Sequence, residues 1–118
     1  MAELVALLSK GEGTWAQVAG IIKNGDWENI ILIGEEFAKK FQVESAKPHC
    51  FIEITKTRLV ELKEELYEKL KGKINGTEVA LSIASGDGKE HMALISALLS
   101  LPVGVRFTAL TKDGLVTL

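Results

Sequence analysis

Short apolar runs alternate along the chain with segments whose apolar positions recur every three or four residues. The order reads strand then helix four times over, followed by two closing strands. Strand one is Glu3 to Leu8, apolar almost throughout, as expected of a central strand covered on both faces. Thr14 and Gln17 read as a capping box that opens a helix through Val18, Ile21 and Ile22, and Asn24-Gly25 stops it. Strand two is Ile30 to Ile33, followed by a short amphipathic helix from Glu35 to Phe41 with Phe37 and Phe41 at i, i+4 spacing. A loop from Val43 to Pro48 leads to strand three, Cys50 to Ile54. Thr55 or Thr57 then caps a helix from Leu59 to Lys71, whose stripe is Leu59, Leu62, Leu66 and Leu70, with Glu65 and Lys69 as a supporting pair. Strand four is Glu78 to Ala84, and a further helix continues to Leu101, where Pro102 enforces the stop. Val105 to Leu110 and Leu115 to Leu118 flank Thr111-Lys112-Asp113-Gly114, a hairpin turn with glycine where a positive φ is needed.

This alternation predicts an α/β fold: a Rossmann-like three-layer sandwich around a mostly parallel six-stranded sheet that ends in an antiparallel hairpin. At 118 residues the chain suits one domain spanning 1–118, with no repeat or linker to suggest a second. Charged residues make up 25% and the formal net charge is -2, so a broad basic surface for duplex DNA or RNA is not expected, although a local cationic pocket is. No signal peptide or membrane span is legible: the longest apolar run, Met92 to Leu101, is too short and is broken by Ser96 and Ser100. The lone Cys50 excludes an internal disulfide and fits a reducing cytoplasm. With only His49 and His91 as histidines, neither a metal site nor a bound cofactor is expected. Abundant Lys and Glu, with Gln confined to Gln17 and Gln42, lean towards a thermophilic source.

Open parallel sheets bind ligands beyond the carboxyl ends of the strands, where the strand order reverses. With strand one central, the reversal falls between strands one and four, and the loops that matter are Ser9 to Thr14 and Ser85 to His91. Each holds two glycines that let backbone N–H groups approach a ligand, Gly11 and Gly13 in one and Gly86 and Gly88 in the other. Each also opens a helix whose amino end favours an anion. Candidate ligand-binding residues are therefore Ser9, Lys10, Gly11, Gly13, Thr14, Ser85, Gly86, Asp87, Gly88 and Lys89. The same glycines would serve any tight strand-to-helix turn, and Asp87 reads equally as a helix cap. Lys56 and Arg58, after strand three, either extend the cationic rim or decorate a helix start. His91 and Trp15 have structural readings beside their functional ones, a cap and a packing residue respectively.

The βα order closing in a hairpin, the polar residue ending strand one and the Ser85-x-x-x-Lys89 element after strand four resemble the CARF domains of CRISPR-associated proteins. The resemblance covers essentially the whole chain. It implies a homodimer that binds cyclic oligoadenylate across its two-fold axis, with Ser9, Lys10, Ser85, Gly86, Gly88 and Lys89 in the phosphate-holding positions. Some such domains cleave the ring without metal, by orienting a ribose 2′-hydroxyl for in-line attack, and Ser9, Ser85 and Lys89 are the catalytic candidates for that; sequestration of the ring without cleavage is the alternative. The helix from Lys89 to Leu101 independently suggests the dimer. Met92, Leu94, Ile95, Leu98, Leu99 and Leu101 surround it, and Ala93, Ser96, Ala97 and Ser100 form a small-residue ridge suited to close helix contact. A helix covered by its own chain is the other account of that pattern.

Two further readings stay open. Gly11-x-Gly13-x-x-Ala16 matches a dinucleotide-binding fingerprint, with Glu35 where a ribose-binding acid belongs, though Glu12 would repel a pyrophosphate. A non-catalytic protein-interaction module is the other.

Overall fold

In the computed structural model, which describes residues 2–11, 14–43 and 47–118, six strands form one sheet in the order β3-β2-β1-β4-β5-β6. The strands are β1 (Ala2–Leu8), β2 (Trp27–Gly34), β3 (His49–Glu53), β4 (Glu78–Ser82), β5 (Gly104–Thr111) and β6 (Gly114–Thr117). The helices are α1 (Trp15–Asn24), α2 (Leu59–Leu70) and α3 (Gly88–Leu99). All neighbouring pairs are parallel except β5 and β6, which form the antiparallel hairpin. Gly114 closes that hairpin at φ +109, the conformation its turn requires.

The near-continuous apolar character of β1 follows from its place between two covered faces. Val5 and Leu7 lie in a core with Ile31, Ile33, Val79 and Leu81 and with the inward residues of α2 and α3. Leu4, Ala6 and Leu8 lie in the opposite core with Val18, Ile21 and Ile22 of α1. The result is the expected Rossmann-like sandwich, with α1 on one face of the sheet and α2 and α3 on the other.

Local details depart from the pattern for identifiable reasons. Thr14 does not form the capping box with Gln17: its hydroxyl turns back and donates to the Gly11 carbonyl at 2.9 Å, and no side-chain cap is made. Gly25 ends α1 with φ -102 rather than a left-handed cap. Its lack of a side chain instead admits the Trp27 ring, which a Cβ there would meet at 2.3 Å. The segment after β2 is a 3-10 helix, Glu36–Lys40, instead of an amphipathic α-helix. Phe37 and Phe41 nevertheless pack as their spacing implies, one stacked on Trp15 and the other edge-on to it.

Neither Thr55 nor Thr57 caps α2, whose first flanking residue is Arg58. The Thr55 amide and hydroxyl and the Lys56 amide donate instead to the Glu65 carboxylate, in the second turn of α2. Lys69 links the same carboxylate, at 3.0 Å, to the Glu53 carbonyl at the end of β3. Burial pushes the Glu65 carboxyl up, but these donors outweigh it and hold the group at about 2.

Helix α3 ends at Leu99, two residues before the expected limit. Leu94 and Leu98 are fully buried, and the small residues Ala93 and Ala97 lie in the same core as Leu62, Leu66 and Leu70 of α2. Half of the small-residue ridge is therefore covered within the chain, and the outward apolar residues are Met92 and Leu99. Among the described residues no helix is long and apolar enough to cross a membrane.

Candidate functional site

The chain winds outward from β1 through β2 to β3 and then returns to lay β4 on the other side of β1, so the strand order reverses between β1 and β4. The β1–α1 and β4–α3 loops leave the sheet side by side at that point. Parallel registers carry Ala6 opposite Ser82 and bring Ser9 beside Ser85.

Polar bonds lock the two loops together. The Ser9 amide donates to the Ser85 hydroxyl at 2.8 Å, and the Ser9 hydroxyl donates to Glu90 Oε1 at 2.8 Å. Glu90 Oε1 also accepts the Asp87 amide, while Asp87 Oδ1 accepts the Glu90 amide: a complete capping box at the start of α3. Trp15 Nε1 donates to the Ser9 carbonyl at 2.9 Å. His91 Nε2 lies 2.9 Å from the Ser85 carbonyl, an acceptor, so that nitrogen carries the proton. Gly86 sits at φ +114 beneath this ring, and a Cβ there would come within 2.4 Å of Leu7 Cδ2 and 2.8 Å of His91 Nε2.

Beside the locked loops opens a cleft of about 330 Å³. Ser9 and Lys10 line it from β1, Glu35 from the end of β2, and Ile54, Lys56 and Thr57 from the end of β3. Leu62 of α2 and Gly86, Asp87, Lys89 and Glu90 of the β4–α3 segment complete the wall. The lining places three lysines against three carboxylates, but the six are not equivalent. Asp87 and Glu90 are held by backbone amides and the Ser9 hydroxyl. The side chains of Lys10, Lys56, Lys89 and Glu35 make no hydrogen bond or ion pair among the described residues. Elsewhere Lys39, Lys69 and Lys71 are paired with carboxylates. At the start of α3, Asp87 satisfies the Glu90 and His91 amides, and those of Gly88 and Lys89 make no hydrogen bond to the described chain. Free cationic side chains and free helix-start amides are the groups an anion needs.

Of the residues expected from the sequence, Ser9, Lys10, Gly86, Asp87 and Lys89 converge on this cleft. Ser85 stands fully buried behind them, its hydroxyl occupied by the Ser9 amide. Gly11, Thr14 and Gly88 are not part of the lining. Gly13 and Glu12 lie outside the described residues. Arg58 points to Glu61 at 3.8 Å and does not extend the rim, whereas Lys56 does. Ile54, Thr57 and Leu62 read from the sequence only as core or cap residues. Their place at the cleft follows from β3 lying next to β2, which alternation alone does not dictate. Among the described residues no group of three or more His, Cys, Asp or Glu is placed to hold a metal ion. No protein-family model matches the chain, and no curated protein matches it significantly.

Proposed function

We propose that the cleft binds a phosphate-bearing nucleotide, with phosphate held at the start of α3. The observation that carries this reading is the convergence of Lys10, Lys56 and Lys89, without side-chain partners among the described residues, with Gly88 and Lys89 amides that make no hydrogen bond to the described chain, beside the point of strand reversal. The resemblance of the loops to CARF domains narrows the ligand to a cyclic oligoadenylate, bound across the two-fold axis of a homodimer formed through α3. Exposed Met92 and Leu99 support that interface. Such a protein works in the cytoplasm, in keeping with a single free cysteine, Cys50.

Ring cleavage, where it occurs, rests on orientation of the ligand's own 2′-hydroxyl and on charge stabilisation by Lys89. The Ser9 and Ser85 hydroxyls are already engaged with Glu90 and the Ser9 amide. Calorimetric titration with cyclic tetra- and hexa-adenylate, with chromatography of the mixture over time, tests binding and cleavage separately. Saturable micromolar or tighter binding to either ring is the expected result. No heat of binding from either at about 1 mM ligand, a free energy weaker than roughly -4 kcal/mol, overturns the reading.

A further inference from the structure

The two faces of the β5–β6 hairpin are covered unequally. On one side Leu110 and Leu115 pack into the core that α1 closes, and α1 lies along both strands. On the other side Val105 and Phe107 reach the core beneath α2 and α3, and there the cover ends: α3 packs along β5, and among the described residues no helix of that layer packs extensively on β6. Strand alternation puts Ala109 on the face of Val105 and Phe107, and Val116 stands opposite Ala109 in the ladder, so both belong to the open face. Both are half-buried, and neither joins either core. Beside this gap, α3 shows the converse. Met92 and Leu99 stand exposed on its outer side and also join neither core. The chain therefore presents a step: a helix about 10 Å thick lies next to a strand pair with no helix above it.

The step is almost without charge. Residues 92–111 contain one charged residue, Arg106, whereas 25% of the whole chain is charged. Alternation turns Arg106 to the opposite face from Val105 and Phe107. Depletion of charge marks the core of a protein interface and disfavours an anionic surface as the partner. A second copy of this chain fits both halves of the step at once. A two-fold axis running along the strands, between α3 and the hairpin, lays α3 of each copy on the open hairpin face of the other, and no like charges meet. An unrelated protein would have to supply an apolar helix of its own and would still leave the outer side of α3 uncovered.

We propose that the chain dimerises by this reciprocal seating, so that the partner's α3 completes the helical layer over β5 and β6. The outer side of α3 then meets the partner's hairpin and not the partner's α3. An axis along the strands keeps each residue at its own level between the two sheet edges. Met92, one turn into α3 from the carboxyl edge, therefore faces Ala109 and Val116 of the partner subunit, at the carboxyl end of β5. The contact gives the homodimer of the nucleotide reading its surface and depends on no ligand.

The test uses the full chain with Cys50→Ser, which removes its one thiol. Chains carrying Met92→Cys and chains carrying Val116→Cys are oxidised separately and as an equal mixture. The mixture is expected to give a linked dimer of one chain of each kind, in about ten-fold or greater excess over the self-linked dimer of either, because a disulfide needs Cα atoms within about 7 Å. In sedimentation, Val116→Lys is expected to be a monomer with native near-ultraviolet circular dichroism, since Val116 supports neither core. Self-linking of Met92→Cys as fast as the mixture sets α3 against α3 and overturns the proposal, as does a mixture that does not link. A monomeric unaltered chain at about 100 μM, or a Val116→Lys dimer as tight as the unaltered one, overturns it equally. Calorimetry of the unaltered chain with cyclic tetra-adenylate judges the nucleotide reading separately, whichever way the dimer is resolved.

Discussion

The amide of Ser9 donates to the hydroxyl of Ser85 across 76 residues of sequence, at 2.8 Å and out of contact with solvent. This bond joins the two loops that flank the cleft, and it separates the roles of their residues. Serines hold the loops to each other, and lysines face the open space.

Opposite signatures are accordingly expected for Ser85→Ala and Lys89→Ala. Removing the Ser85 hydroxyl leaves the buried Ser9 amide unpaired, at a cost of about 1–3 kcal/mol in stability, measurable by urea denaturation. Lys89→Ala removes a charge-assisted bond to phosphate and lowers affinity about ten-fold or more, with little change in melting temperature, because Lys89 is exposed and stands at the unfavourable end of the helix dipole. Lys112→Ala, in the β5–β6 hairpin turn and outside the cleft lining, is the control for general charge. Equal affinity losses from Lys89→Ala and Lys112→Ala would point to diffuse electrostatics instead of a site.

Gly86→Ala is expected to destabilise the protein and weaken binding together. The new Cβ meets Leu7 Cδ2 and His91 Nε2 while the backbone sits at φ +114, so either Leu7 leaves its core position or the loop moves. Strain of this kind costs about 1–3 kcal/mol. Gly88→Ala, where a Cβ meets nothing within 4 Å, provides the comparison, and near-wild-type melting is its expected result.

These contrasts also mark where the sequence was legible. The continuous run in β1 and the alternation of strand and helix carry the topology, because a strand buried on both faces and helices of one apolar stripe admit few other arrangements. The strand reversal then falls between β1 and β4, where that topology puts it. What the sequence does not disclose are pairings that depend on register across the sheet. That Ser9 uses Ser85, and that Glu90 serves both the Asp87 amide and the Ser9 hydroxyl, requires β1 and β4 to be adjacent and in phase. Similarly, Thr55 reads as a cap because it precedes a helix, yet Glu65 reaches back from within α2 to take its hydrogen bonds. Local propensity cannot anticipate a partner ten residues away.

Acid sensitivity should reside partly in that same Glu65 clamp. The carboxyl is held at about 2 in the folded chain against an ordinary value near 4.5 when unfolded. Because the folded value is the lower one, its stabilisation is fully present above the unfolded value, declines as pH falls below it, and is gone once pH has passed through about 2. Glu65→Gln is therefore expected to be less stable than the unaltered chain near neutral pH, by about 1–3 kcal/mol for the lost charged hydrogen bonds. The gap should narrow steadily as pH drops from about 5 towards 2. Denaturation curves at four or five pH values measure it, and a gap independent of pH would mean that the Glu65 charge contributes nothing. Glu3, also lowered by its bonds to Asn29 and the Asn75 and Gly76 amides, titrates in both proteins and cancels in the difference.

Association through α3 separates into two classes of substitution. Leu94 and Leu98 are fully buried against their own chain, so Asp at either site places a carboxylate in the core that holds Leu62 and Leu66, and the expected outcome is loss of the fold at any concentration. Met92 and Leu99 lie seven residues apart, two helical turns, and are 58% and 69% exposed. Aspartate at these positions costs the monomer little, since surface substitutions usually stay within about 0.5 kcal/mol. A homodimer that uses this face buries both side chains twice over, once from each protomer, so Met92→Asp and Leu99→Asp together are expected to give a folded monomer. Sedimentation of the unaltered chain at about 100 μM comes first, and a monomer there removes the α3 interface. With a dimer in hand, the double variant discriminates further: a folded monomer identifies this face as the contact, whereas a persisting dimer moves the contact to another surface and leaves Met92 and Leu99 as isolated apolar residues of an exposed helix face.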